Sequence, residues 1–206
     1  MKCDIGHFEI KSGGRCYNLI PSFENIMKLG NAEELVEVYN SLHWLDGFPD
    51  RADVLHDAMM YNVQLSARVI RACSDIDPSP LLIDVIERGD KFKMKIGTGI
   101  RLSIEEQVNI AAGLIRHGVA GVSKVKSNAP KGKAATEVDL WEFVHTAMAH
   151  LEMSKRDALS LTMTEFVRIM ETKYPREKNI HDEISDEAYD NAMARMREAN
   201  AKRDKK

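Results

Sequence analysis

The sequence predicts a mainly α fold: an N-terminal β-hairpin followed by a multi-helix bundle, closing with a C-terminal helix able to stand detached from it. Two patterns carry that expectation. Apolar residues alternate with polar ones over the first twenty positions, around a Gly-Gly pair, which is the period-two signature of paired strands. From Phe23 onward apolar residues recur at helical spacing, in segments opened by Ser, Thr or Asp-Pro and closed by Gly or Pro.

In the hairpin, Ile5, Phe8 and Ile10 precede the turn, and Cys16-Tyr-Asn-Leu-Ile follows it, with Gly13-Gly14 at the reversal. This register sets Cys16 opposite Lys11 and far from Cys3, so those two thiols are not placed to bridge. Ser22 then serves as an N-cap, its hydroxyl accepting a free backbone amide of the first turn. Two short helices follow on either side of Gly30, with Phe23, Ile26 and Met27 on the first and Leu35, Val36, Tyr39 and Leu42 on the second. A long helix is expected from Ala52 to Ala72 through Leu55, Met59, Val63, Ala67 and Ile70. Asp77-Pro-Ser-Pro opens another short helix carrying Leu81, Leu82, Val85 and Ile86 and stopped by Gly89. Residues 91–96 alternate charge and apolarity and read as a short exposed strand or an extended connector.

Ser103 and Glu106 have the spacing of a capping box, which begins a helix through Val108, Ile110, Ala111, Leu114 and Ile115 and stops near Gly118. Residues 107–136 contain no Asp or Glu but hold Arg116, Lys124, Lys126, Lys131 and Lys133 among Gly, Ser, Asn and Pro, the composition of a flexible basic loop. Thr136 is the expected cap of a helix with Leu140, Trp141, Phe143, Val144, Ala147, Met148 and Leu151. Ser154 opens a shorter helix through Ala158 and Leu161. Thr162 or Thr164 opens a third, with Phe166, Val167, Ile169 and Met170, ended by Pro175. Trp141 and Phe166 both fall on apolar stripes and read as core. The expected organisation is a hairpin and helical domain over 1–118, a basic loop over 119–136, a C-terminal helical subdomain over 137–178 packed on the first, and a terminal helix with a basic tail over 185–206.

The 206 residues are 44% hydrophobic and 30% charged, with a formal net charge of -3. That is enough apolar content for one sizeable core, and a charge balance that singles out neither nucleic acid nor membrane. No apolar run approaches the roughly 20 residues that cross a bilayer. The polar opening Met-Lys-Cys-Asp lacks the apolar segment of a signal peptide, so residence in the cytoplasm is expected. Three cysteines without a Cys-x-x-Cys pair suggest neither a disulfide framework nor a zinc site.

Catalytic and cofactor motifs are not found. There is no phosphate loop, no His-Glu-x-x-His pair and no Gly-x-Ser-x-Gly elbow, and Gly97-x-Gly99 lacks the third glycine of a dinucleotide site. His145 and His150 are five residues apart, a spacing that does not bring two imidazoles to one ion, and His43 sits beside Trp44. The pairs His56 with Asp57 and Asp53 with Asp57 read as solvated charge near a helix start. The expectation is a protein that binds, without cofactor or metal, and is not an enzyme.

Of the eleven methionines most read as ordinary core filling, and those of the final helix are the exception that points to binding. Met59 and Met60, Met148 and Met153, Met163 and Met170, and Met193 and Met196 fall on helical faces, where the flexible thioether adapts to irregular apolar partners. The terminal helix has only a thin stripe, Ala188, Ala192, Met193, Met196 and Ala199, so Tyr189, Met193 and Met196 are the candidate partner contacts. Lys124, Lys126, Lys131 and Lys133 are the candidate contacts for an anionic partner. They also carry the alternative reading, a nucleic-acid-binding adaptor or regulator. That reading is the weaker one, because the segment from Ala120 makes a poor, glycine-bearing recognition helix.

Two stretches resemble the tail assembly chaperones of long-tailed bacteriophages. The first, Gly-Gly-Arg-Cys-Tyr-Asn-Leu-Ile-Pro-Ser-Phe-Glu-Asn-Ile-Met-Lys-Leu-Gly at 13–30, is similar to the family's opening strand running into a Ser-Phe helix. The second, Asp139-Leu-Trp-Glu-Phe through Leu151 and then Leu159-Ser-Leu-Thr-Met-Thr-Glu-Phe, is similar to its Trp-containing helix and following helix start. The resemblance implies a protein that coats the tape measure protein in the host cytoplasm and helps recruit tail tube protein around it. It implies partners that are proteins, a homo-oligomer among the arrangements open to it, and no membrane.

Overall fold

The computed structural model describes residues 5–43, 52–88, 91–96, 101–123 and 135–175. The chain opens with the expected hairpin, β1 (Phe8–Ser12) against β2 (Arg15–Leu19), in a register that pairs Lys11 with Cys16. Gly13 and Gly14 have φ of 57° and 75°, the two positive values that a primed type I turn requires. Alternation does its work here: Phe8, Tyr17 and Leu19 are buried, while Arg15, Cys16 and Asn18 face out. Beyond the strands, Ile20 N donates to Cys73 O at 2.8 Å, and Asn18 donates to the Asp75 carboxylate from both its backbone and its side chain.

Helix α1 (Phe23–Met27) is capped by Ser22, whose hydroxyl accepts from Asn25 N at 3.3 Å. Helix α2 (Ala32–His43) starts on Asn31, which accepts from Glu33 N and Glu34 N while the Glu34 carboxylate accepts from Asn31 N. The long helix α3 (Ala52–Cys73) buries Val63, Ala67, Val69, Ile70 and Cys73.

The segment after α3 departs from expectation. In place of a helix through Leu81, Leu82, Val85 and Ile86, a 3-10 turn at Ser79–Leu81 leads into strand β3 (Ile83–Arg88), paired antiparallel with β4 (Lys91–Ile96). The spacing of those four apolar residues fits a helix, but Ile83 and Val85, two apart, share one face of a strand. Ile83 and Val85 are buried, with Asp84 between them half-buried and Ile86 exposed, and β-branched residues favour the pleat. The strand's inner edge is occupied by a side chain from the next helix. Gln107 accepts from Ile83 N at 2.8 Å and donates to Ile83 O, Val63 O and Ser66 Oγ at 3.0–3.1 Å.

Helix α4 (Ile104–Ile115) begins on the predicted Ser103–Glu106 capping box. It runs past the expected stop near Gly118 as a π-turn, Arg116–Ala120, and reverses at Gly121 with φ of 73°. Helix α5 (Leu140–Leu151) is capped by Asp139, which accepts from Trp141 N at 2.9 Å, and not by Thr136. The carboxylate adjoining the first turn takes the free amide. One residue earlier, Val138 N is held by Ala32 O at 3.0 Å. Ser154 caps α6 (Lys155–Ser160). Of the two candidates for α7 (Met163–Lys173), Thr162 is the cap: it accepts from Glu165 N at 3.1 Å while the Glu165 carboxylate accepts from Thr162 N at 2.9 Å.

One apolar cluster unites these elements, drawing Phe8, Leu19, Phe23, Ile26 and Ile70 together with Leu114, Ile115, Val144, Ala147, Ala158 and Phe166. Phe23 lies at its centre, its ring 6.3 Å from Phe143 and 6.1 Å from Phe166. The residues expected to form an N-terminal domain and a C-terminal subdomain therefore contribute to the same core. Met60, Val63, Ile83 and Val85 make a smaller cluster under the second hairpin. The chain divides into compact units Met1–Met170 and Glu171–Lys206, of which the second is described only at 171–175. Among the described residues no helix is long and apolar enough to cross a membrane.

Candidate functional site

Helix α5 carries two apolar stripes one residue out of phase. Leu140, Val144 and Ala147 are buried in the core, whereas Trp141, His145 and Met148, about 100° further round the helix, face outward. The expectation that Trp141 is a core residue is thus corrected: its side chain is 40% exposed, and Met148 is 37% exposed. Phe166 is buried, as expected. The indole is held in place at the surface. His145 lies 5.8 Å away ring to ring, and Lys155 Nζ stands 5.0 Å over the ring, a cation–π contact from the start of α6.

Beside the entry to α5 lies a groove of about 320 Å³ between α2 and the π-turn. It is lined by Val36 and Tyr39 of α2, Val119 and Ala120 of the π-turn, and Ala135 and Val138 ahead of α5, with Asn40 adding a side-chain amide. Val138 is three residues before Trp141, so groove and stripe are separated by no more than about 11 Å of chain. Tyr39 is fixed by stacking on His43 at 4.2 Å, and His43 Nδ1 is 2.9 Å from Tyr39 O. An apolar cleft and an exposed aromatic and methionine ridge close to it in the chain are features suited to taking the side chains of an amphipathic helix.

Of the sequence-predicted candidates, Lys124, Lys126, Lys131, Lys133, Tyr189, Met193 and Met196 lie outside the described residues, as do Cys3 and Trp44. The other methionines divide. Met60 and Met163 are buried, Met153 and Met170 half-buried, and Met59 and Met148 exposed. Among the described residues no three His, Cys, Asp or Glu side chains are placed to hold a metal ion. Asp57 is exposed, and the described residues do not extend to the side chains of Asp53 and His56.

Sequence reasoning missed a second polar centre, on the core side of the π-turn. The fully buried Thr164 accepts from Val122 N at 3.0 Å and lies 2.8 Å from His117 Nδ1. Phe8 meets the imidazole edge to face at 6.4 Å, and Gly6, with φ of 87°, passes so close that an added Cβ would strike the His117 side chain. Thr162 donates from its hydroxyl to Ile5 O at 3.1 Å, and His7 Nε2 is 3.6 Å from the Glu165 carboxylate. Burial, then the charges of Arg116 and Arg168, holds His117 below the usual histidine range. Nothing in its local sequence marks His117, because its partners come from positions on either side of the chain.

A family profile described as a family of unknown function, DUF6246, matches residues 19–191. The chain belongs to that family. No curated protein and no solved structure matches it.

Proposed function

We propose that this chain is a tail assembly chaperone of a long-tailed bacteriophage, covering apolar helix faces of the tape measure protein in the host cytoplasm and helping gather tail tube protein around it. The reading is supported by the exposed ridge of Trp141, His145 and Met148 beside an apolar groove, on a fold whose other α5 stripe is consumed by the core. It joins the resemblance of residues 13–30, 139–151 and 159–166 to such chaperones. A long partner with exposed apolar helices is covered reversibly by several modest contacts. Each buried aliphatic or aromatic side chain contributes about 1.5–3 kcal/mol before ordering costs.

Co-expression with the tape measure and tail tube proteins of the same genome tests the reading. The expected result is a tape measure recovered in the soluble fraction in complex with this chain. A double variant, Trp141→Ser with Met148→Ser, should keep its far-ultraviolet circular dichroism and melting cooperativity yet lose the tape measure. A tape measure whose solubility is indifferent to the chain would sink the assignment; one still held by the double variant would move the contact off α5.

A further inference from the structure

The cluster around His117 joins three parts of the chain that are distant in sequence. Thr164 Oγ1 accepts from Val122 N, and its own proton has two acceptors in reach, His117 Nδ1 at 2.8 Å and His117 O at 3.4 Å. Placed toward the shorter contact, the hydroxyl proton meets a bare Nδ1, and the ring proton of the neutral imidazole then sits on Nε2. The same imidazole is the surface on which Gly6 and Phe8 rest, while Thr162 holds Ile5 O. We propose that His117 is an acid-sensitive latch: neutral, it locks Thr164 to Val122 and seats residues 5–8, and its protonation loosens both.

A proton on Nδ1 turns that nitrogen from acceptor to donor. Thr164 must then accept from it as well as from Val122 and send its hydroxyl toward the more distant His117 O. The imidazolium also gains a charge in a half-buried site beside two cations. Arg116 on the π-turn and Arg168 on α7 both oppose protonation, in the same direction as burial. His7 and Glu165 stand at the other end of the cluster, His7 Nε2 lying 3.6 Å from the Glu165 carboxylate. Both are part-exposed, which weakens that pair. From β1 comes Phe8, which is uncharged, and Ile26 of α1 lies against the neighbouring Gly118. Val122 directly follows the reversal at Gly121 that closes the π-turn, and the same turn supplies Val119 and Ala120 to the groove. The latch therefore reaches the groove wall, whatever partner the groove takes.

Hydrogen exchange by NMR on the full chain, normalised to intrinsic rates at about pH 7.5 and about pH 5, reads the latch directly. At the lower pH the amides of Val122 and residues 5–8 should lose about tenfold in protection, while those of Ala111 and Leu114 hold theirs. The loss should follow the His117 imidazole titration, with its midpoint below that of an ordinary histidine. His117→Gln stays neutral and retains an acceptor for Thr164, so its protection should be the same at both values. His7→Gln should keep the wild-type response. Protection independent of pH, a His117 midpoint at or above the ordinary value, or a pH response that disappears in His7→Gln would each overturn the latch. The wild-type and His7→Gln readings decide the matter even if His117→Gln does not fold.

Discussion

Replacing Gln107 by leucine keeps the volume of the side chain and removes its hydrogen bonds. Gln107 is fully buried and joins α4 to both α3 and β3 through four contacts of 2.8–3.1 Å. Their loss is unequal. Val63 O still receives the Ser66 hydroxyl at 2.8 Å, so the α3 side retains a bond of its own. Ile83 N–H and C=O have no such substitute, and each buried backbone group left without a partner costs about 1–3 kcal/mol. The leucine recovers part of this through apolar burial, so the net loss should be about 2–4 kcal/mol. With a urea slope near 2 kcal/mol per molar, the unfolding midpoint followed by circular dichroism should fall by roughly 1–2 M. The exposed Glu105→Gln on the same helix serves as the control and should stay within about 0.5 kcal/mol of wild type. Gln107→Glu retains the acceptor for Ile83 N but places a carboxylate in the core. Burial raises its folded-state pKa, so this variant should be more stable at about pH 5 than at about pH 8, where the charge is fully present. A leucine variant with an unchanged midpoint would refute the idea that Gln107 pins the second hairpin.

Three further outcomes follow from the same geometry. Thr162→Ala removes the cap of α7 and the tie to Ile5 O together, and should lower stability by about 1–2 kcal/mol in urea titrations, with Thr162→Ser recovering most of it. Because burial and two arginines hold His117 below its unfolded value, the folded chain takes up that proton at lower pH than the unfolded chain does. The stability His117 contributes is thus fully present above about pH 6.5 and is lost as pH falls through the folded value, and His117→Gln should flatten that part of the curve. Cys73 is 1% exposed and its thiol is pushed up to about 12 by burial. A thiol reagent read peptide by peptide should label exposed Cys16 in the native protein and reach Cys73 only on unfolding.

The helical architecture was legible because its signals are local. Ser22, Ser103 with Glu106, and Ser154 each cap where a short side chain precedes an apolar periodic run, and that chemistry needs no distant partner. The first hairpin was equally readable from Gly13-Gly14. The second was not, for a physical reason. Leu81, Leu82, Val85 and Ile86 have helical spacing, whereas the strand that forms begins at Ile83 and puts Ile83 and Val85 on its buried face, with Gln107 completing the Ile83 edge from 24 residues away. A buried glutamine in an amphipathic helix gives no sign in one sequence that it is completing another element's hydrogen bonds.

The surface of α5 shows the same limit from the other direction. Its run of Leu140, Trp141, Phe143, Val144, Ala147 and Met148 spreads over more of the helix than one interface consumes, and apolarity alone does not say which part is left over. Assigning the largest side chain to the core was the natural choice, and it placed Trp141 on the wrong side. The structure divides the run by neighbours: Phe143 stacks on Phe23, Val144 and Ala147 are small enough for close packing against the core, and the indole is left outside under Lys155. An exposed tryptophan flanked by a tilted histidine ring and covered by a lysine is positioned by polar contacts that a partner's apolar side chain can displace. The prediction separating a docking ridge from ordinary surface is therefore Lys155→Ala, which removes the cation from the ring and uncovers more apolar area. It should leave stability within about 0.5–1 kcal/mol of wild type, yet tighten the hold on the tape measure in the co-expression assay. A Lys155→Ala chain that binds no better would make the indole ordinary surface, and one that loses the partner would make the cation part of the recognised surface and not its cover.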